Sequence, residues 1–208
     1  GAAGDVGAAL EPAWRLAEAV VERESVLPVA DGLWVHTLTA GRLAESMRWA
    51  ERMLEAASAS KGEALELSGH RAALASRFWQ GDYVAARHHG DALRRLYDRE
   101  RHAHIGALTT SDPLAGDGMY RAHFLWMLGY PDQARAVARE TAEHARGLNR
   151  PFEVAFALTL GAQVFEYCHQ ADDLLQCADE AERVGKQFGV PLMSEIMAEI
   201  KQMLAQVK

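Results

Sequence analysis

Cysteine is scarce in this 208-residue chain, and long apolar runs and a basic excess are missing. The two cysteines, Cys168 and Cys177, form no CxxC pattern, which argues against a disulfide framework and suits a reducing cytoplasm. No apolar run approaches the roughly 18 residues that a membrane-spanning helix needs. Acidic residues outnumber basic ones by 29 to 22, a net charge of −7, and nucleic-acid binding depends on clustered basic residues. We therefore expect a cytoplasmic protein that binds neither membranes nor nucleic acids.

The sequence also lacks the common catalytic motifs. It contains no GxxxxGK[ST] phosphate loop, no GxSxG elbow and no HExxH metal helix. Histidine is more frequent, and His88, His89, His102 and His104 lie close together in the chain. However, no cysteine lies near them, and His88 and His89 would point about 100° apart on a helix. The sequence therefore predicts no enzyme, no cofactor and no metal site.

What the sequence does contain is a turn that recurs. Five segments each have a turn residue followed, five positions later, by a small or apolar residue that opens a helical pattern. They begin at residues 4, 41, 81, 129 and 169 and read GDVGAA, GRLAES, GDYVAA, GYPDQA and HQADDL. Spacings of 37, 40, 48 and 40 residues are typical of a helical repeat array, in which each unit buries its apolar face against its neighbours. The last segment, HQADDL, matches the pattern least and predicts the least regular turn.

Helical periodicity surrounds these turns. A mostly apolar helix, which we call the A helix, precedes each turn from the second onward, and an amphipathic B helix follows each. The predicted A helices span 27–39, 63–79, 115–128 and 152–168, and the B helices 42–57, 84–97, 134–145 and 174–188. The pattern predicts an all-α array of about nine or ten antiparallel helices in a single domain over 1–208. A non-periodic stretch at 101–113 accounts for the 48-residue spacing, and we expect it to be functional or mobile.

Two features carry a resemblance to known proteins. GDYVAA resembles the turn within tetratricopeptide (TPR) repeats. LWMLGYPDQARA (125–136), preceded by SDP (111–113) and followed by RPFEVAFAL (150–158) and GVPLM (189–193), resembles the TPR-like C-terminal arrays of bacterial signalling proteins. In those proteins a class III adenylate or guanylate cyclase, or a kinase, is fused to a STAND-type AAA ATPase and then to the array. The resemblance implies a right-handed superhelix, an α-solenoid, with a regulatory rather than catalytic role.

The phase of the repeat leads to one further expectation about the chain. The first turn precedes a B helix without its A helix, and 191–208 has an apolar face without a following B helix. We therefore expect the sequence to be a piece of a larger protein.

A ligand-facing surface follows from the repeat. In TPR-type arrays the A helices line the concave surface. Aligning the units by their turns predicts that a set of A-helix side chains faces this groove: Asp31, Arg71, Tyr120, His123, Gln163 and Glu166. The Lys/Asn pattern with which some TPR domains clamp a terminal carboxylate is absent at these positions.

Three functions remain open at this point. The first is a non-catalytic module that presents the groove to a protein partner, including neighbouring ATPase or cyclase domains. The second is a small-molecule sensor, which a pocket lined by Tyr120, Trp126 and Phe165 would support. The third is a homodimerisation element.

Overall fold

The computed structural model describes residues 26–189, together with Pro12, Trp14, Glu195, Ala198 and Lys201. The turn predicted at residue 4 and most of the helix predicted at 191–208 lie outside the described residues. Within the described part the chain is predominantly helical and contains no strand. The prediction of an all-α fold is therefore confirmed there.

The helix bounds follow the predicted alternation of A and B helices. In chain order the helices are α1 (Leu27–Thr39), α2 (Leu43–Ser60), α3 (Glu63–Trp79), α4 (Tyr83–Leu96), α5 (Arg99–His102), α6 (Ile105–Leu108), α7 (Pro113–Met127), α8 (Pro131–Gly147), α9 (Pro151–Tyr167) and α10 (Ala171–Phe188). The A helices are α1, α3, α7 and α9, and the B helices are α2, α4, α8 and α10. Proline stands in the first turn of α8 and α9, where its missing N–H leaves no bond unmade.

The chain divides into two compact units, Gly1–Asp117 and Gly118–Lys208, with the division inside α7. In the first unit α1 packs on α2, α2 on α3 and α3 on α4, and the A helices α1 and α3 also contact each other. In the second unit α9 packs against both α8 and α10. Each unit therefore builds its core from consecutive helices.

The turns between A and B helices share one backbone geometry. Gly41, Gly81 and Gly129 have φ of 72°, 79° and 86°, a left-handed conformation that glycine adopts without a Cβ clash. At Gly41 the N–H donates to the carbonyl of Leu38, and the next N–H donates five residues back. The same two bonds recur in the last turn, where His169 takes the left-handed position with φ 54°. The expectation of a less regular last turn was therefore wrong.

The residue five positions after the start of each turn is buried in every described repeat. Ser46, Ala86 and Ala134 have no exposed surface, and Leu174 is 2% exposed. A small or apolar side chain is needed there because the first turn of each B helix packs against its A helix. The shared shape of the repeated segments thus reflects a left-handed turn followed by a buried contact.

The stretch at 101–113 is not a continuous loop, since α5 overlaps its start, α6 lies within it and Pro113 begins α7. Ile105 has no exposed surface. Asp112 accepts hydrogen bonds from the N–H groups of Leu114 and Ala115 at 3.0 Å, which caps α7, and it accepts the Tyr97 hydroxyl at 2.7 Å. The stretch is therefore packed and anchored within the first unit.

Candidate functional site

The predicted residues Asp31 and Arg71 form a buried ion pair in the first unit. Asp31 is 2% exposed and Arg71 is 3% exposed, and the Arg71 guanidinium donates to the Asp31 carboxylate. The guanidinium also lies over the Trp34 ring, 4.7 Å from its centroid. The indole N–H of Trp34 in turn donates to the Ser76 hydroxyl at 3.1 Å. The pair is thus held between α1 and α3 by charge, ring stacking and hydrogen bonding.

The repeat explains why these two side chains meet. Asp31 and Arg71 each lie ten residues before a turn glycine, and their A helices pack together. The first turns of α7 approach the same place, because a Cβ on Gly116 would lie 2.7 Å from Cδ of Arg71. Glycine at this position therefore lets α7 pack against the stem of the arginine side chain.

A segment of the chain itself covers the Asp31–Arg71 pair. The main-chain N–H of Thr110 donates to Oδ2 of Asp31 at 2.7 Å. The Arg71 guanidinium donates to the hydroxyls of Thr110 and Ser111 at 3.4 and 3.3 Å. Thr110 is exposed and Ser111 is 7% exposed. The surface that the sequence predicted to face a ligand is therefore occupied by Thr110 and Ser111.

In the second unit the predicted residues His123 and Gln163 face each other from α7 and α9. The two side chains approach to 3.1 Å at Nε2 of His123, while its Nδ1 lies 2.9 Å from the Met119 carbonyl. Because a carbonyl only accepts, Nδ1 carries a proton. Nε2 faces the side-chain oxygen Oε1 of Gln163, and this contact joins α7 to α9.

Aromatic side chains surround this second contact. The Tyr167 ring meets His123 edge-on at 6.1 Å between centroids and lies 4.8 Å from the Trp126 ring. Tyr167 is 39% exposed and Trp126 is half-buried. We call His123, Trp126, Gln163 and Tyr167 the aromatic cluster. In this cluster the Tyr167 ring is exposed, Trp126 and Gln163 are half-buried, and His123 is buried.

The structure thus brings four of the six predicted residues together in two pairs. Tyr120 is half-buried on α7, and Glu166 is exposed on α9, in the same unit as the aromatic cluster. Sequence reasoning did not identify Thr110 and Ser111 as contacts of the first pair. The longer spacing between the turns at 81 and 129 pointed to their stretch, but no signal pointed to these two residues.

Phe165, which a sensor pocket would share with Tyr120 and Trp126, lies in the interior of the second unit. Phe165 is 2% exposed, and the Arg139 guanidinium lies 5.3 Å from its ring centroid. It lines a cleft of about 310 Å³ together with residues of α8 and α10, including Arg146 and Cys177. Burial raises the pKa of the Cys177 thiol to about 11, so this thiol stays protonated at neutral pH.

A pair of histidines lies between α3 and α4. Nδ1 of His70 and Nδ1 of His89 are 3.1 Å apart, which requires one ring to donate and the other to accept. Burial lowers the pKa of both rings, that of His89 to about 4. Within the described residues, no group of three or more His, Cys, Asp or Glu side chains is placed to hold a metal ion. The charged and titratable neighbours that act on this pair are Glu66, Arg77, His88 and Arg95.

Comparison with protein-family models and with curated proteins found no match to this chain. Among the helices of the described residues, none has the length and apolarity required to cross a membrane. The assignment of function therefore depends on the repeat and on the two paired surfaces.

Proposed function

We propose that this chain is a non-catalytic interaction module that recognises protein segments along the seams between successive A helices. The observation that carries the proposal is the aromatic cluster. In it, residues at equivalent repeat positions meet across α7 and α9, beside an exposed tyrosine. Tyrosine and tryptophan supply large contact areas at low entropic cost, which is why they are frequent at binding hot spots.

The finer architecture belongs to the same proposal. The left-handed turns near 41, 81, 129 and 169 and the A-to-A contact in the first unit support TPR-like repeats stacked into a right-handed superhelix over 1–208. The resemblance of LWMLGYPDQARA to arrays of bacterial signalling proteins supports a cytoplasmic regulatory role, in which the array contacts ATPase or cyclase domains of the same polypeptide.

Site-specific photo-crosslinking tests this proposal. Tyr167 is replaced by p-benzoylphenylalanine in the full polypeptide inside cells, and the crosslinked peptide is identified by mass spectrometry. We expect one defined segment of another domain or of a partner protein to be captured. Phe188, 52% exposed on the B helix α10, is the matched control and should not capture that segment.

Two outcomes would contradict the proposal. One is capture of the same segment with equal yield at 188, and the other is no adduct at 167. Adducts that join two copies of this chain at 167 would instead establish homodimerisation as the role of this surface.

A further inference from the structure

The contact between A helices in the first unit differs from that in the second unit, because Thr110 and Ser111 cover it. We propose that the Asp31–Arg71 pair is a recognition site for an extended peptide with two consecutive hydroxyl side chains. In this chain, residues 109–111 occupy the position that such a peptide would take. This inference rests on the proposed function and names the partner chemistry for one of its seams.

The contacts of the segment are those by which proteins read an extended peptide. The carboxylate of Asp31 accepts a main-chain N–H at 2.7 Å, a group that every residue except proline offers. The guanidinium of Arg71 donates to two neighbouring hydroxyls, which selects serine or threonine at both positions. The first contact provides general affinity and the second provides specificity.

The segment's contacts with the pair differ in length. The bonds from Arg71 measure 3.3 and 3.4 Å, at the long end of the range for hydrogen bonds, whereas the bond from the Thr110 N–H to Asp31 measures 2.7 Å. Thr110 is exposed whereas Ser111 is 7% exposed, so the covering segment reaches the surface at Thr110. Residues 109–111 lie between α6 and α7, so replacement of the segment by a peptide of the same chemistry would not require a helix to unfold.

The recognition pair does not depend on the segment for its position. Arg71 is held by the Asp31 carboxylate, the Trp34 ring and the close approach of Gly116. Beyond the segment, the Asp112 cap and its bond from Tyr97 anchor the start of α7. Displacement of 109–111 thus leaves both the site and the following helix in place.

The chain's own segment competes with any external peptide. A tethered segment has an effective concentration on the order of millimolar, which an external peptide must overcome. The unmodified chain should therefore bind such a peptide weakly, and a chain whose segment is detached should bind it well. The double variant T110P/S111A detaches the segment, because proline lacks the N–H that Asp31 accepts and alanine lacks a hydroxyl.

The probe is a fluorescein-labelled peptide that copies residues 107–113, Ala-Leu-Thr-Thr-Ser-Asp-Pro, and the readout is fluorescence anisotropy. We expect T110P/S111A to bind it at least tenfold more tightly than the unmodified chain. Three outcomes would overturn the inference: no binding to the folded double variant, equal binding to both chains, or tighter binding to the unmodified chain. Circular dichroism establishes that the variant is folded.

Changes in the peptide test the chemistry of recognition while the protein, T110P/S111A, stays the same in every measurement. N-methylation of the second threonine removes the N–H that Asp31 would accept and should weaken binding to T110P/S111A at least tenfold. Replacing the Thr-Ser pair by Ala-Ala should weaken it several-fold. Unchanged affinity of either peptide would overturn the inference. Because crosslinking at Tyr167 reports on the second unit, failure here is distinguishable from failure of the proposed function.

Discussion

Arg71 donates to the carboxylate of Asp31, 40 residues earlier in the chain, so the ion pair joins the same repeat position of two A helices. His123 and Gln163 meet at the same separation in the second unit. Contacts of this kind recur because each A helix presents equivalent positions to the next. The two seams nevertheless differ in chemistry, since one is a covered ion pair and the other an aromatic cluster in which Tyr167 is exposed.

Removal of Asp31 should strongly destabilise the fold. Asp31→Ala leaves the Arg71 charge buried without its partner, which typically costs about 3–5 kcal/mol of unfolding free energy. Urea denaturation followed by circular dichroism measures the change. Asp132→Ala is the control, because the Arg135–Asp132 pair is exposed and such pairs contribute about 1 kcal/mol or less. Equal losses of unfolding free energy in the two variants would contradict the conclusion that burial makes the Asp31–Arg71 pair more important for stability than an exposed pair.

Replacing His169 by glycine should stabilise the chain. His169 has φ of 54°, where a Cβ costs roughly 1–2 kcal/mol, whereas the other three turns place glycine there. Glycine has greater freedom in the unfolded state, so the expected net gain is about 0.5–1 kcal/mol. Thermal unfolding measures it. Gly81→Ala, with nothing within 4 Å of the added Cβ, should lose stability through the backbone alone. A loss at His169→Gly would show that the imidazole itself stabilises the turn.

The comparison of these turns also shows what could be predicted from the sequence. Glycine at 41, 81 and 129, followed by a small residue, identified the helix-turn-helix units, because left-handed turns restrict the residue type so strongly. At 169 the sequence predicted a less regular turn than the structure has. Backbone hydrogen bonds and the packing of Leu174 impose the same turn on histidine. Tertiary context overrode the local preference there.

The candidate sites were predictable to a smaller extent. The repeat phase placed Asp31 and Arg71 on equivalent positions, but the segment that covers the pair includes Thr110, which lies 79 residues after Asp31. No periodicity connects a residue in a non-repeating stretch to a helix so distant in sequence. The His70–His89 contact was missed for a related reason. The sequence showed clustered histidines near 88, whereas the partner lies on the preceding A helix.

Two helical glycines should respond in opposite ways to alanine. An added Cβ at Gly118 would lie 2.0 Å from Oγ1 of Thr141, so α7 and α8 must move apart, and we expect a loss of about 1–3 kcal/mol. At Gly161 the nearest atom would be 3.8 Å away, so Gly161→Ala should gain about 0.5–1 kcal/mol from helix propensity. Chemical denaturation of both variants provides the test. Equal effects would contradict the close helix approach at Gly118.

The His70–His89 pair should make the fold less stable in acid. Because burial holds the pKa of both rings below 6.5, that of His89 at about 4, the unfolded chain binds protons that the folded chain does not. The contribution of this pair to the free energy of unfolding is therefore constant above about pH 7 and falls as the pH decreases from about 6.5 towards 4. We expect a loss of about 1 kcal/mol between pH 7 and pH 5, a value reduced for solvent screening at these half-buried rings.

The variant His89→Gln isolates this effect, because glutamine keeps a hydrogen-bonding partner for His70 but does not titrate. Urea denaturation at pH 7, 6 and 5 should show a smaller pH dependence in this variant than in the unmodified chain. His144→Gln, in the second unit, leaves the pair intact and is the matched control for exchanging a histidine for glutamine. An unchanged slope in His89→Gln would assign the acid sensitivity to other groups. We expect the pH dependence in His89→Gln to be reduced only in part, since burial still lowers the pKa of His70. Burial is the largest cause of this lowered pKa; Glu66 favours protonation of His70, and His88 and Arg95 oppose it.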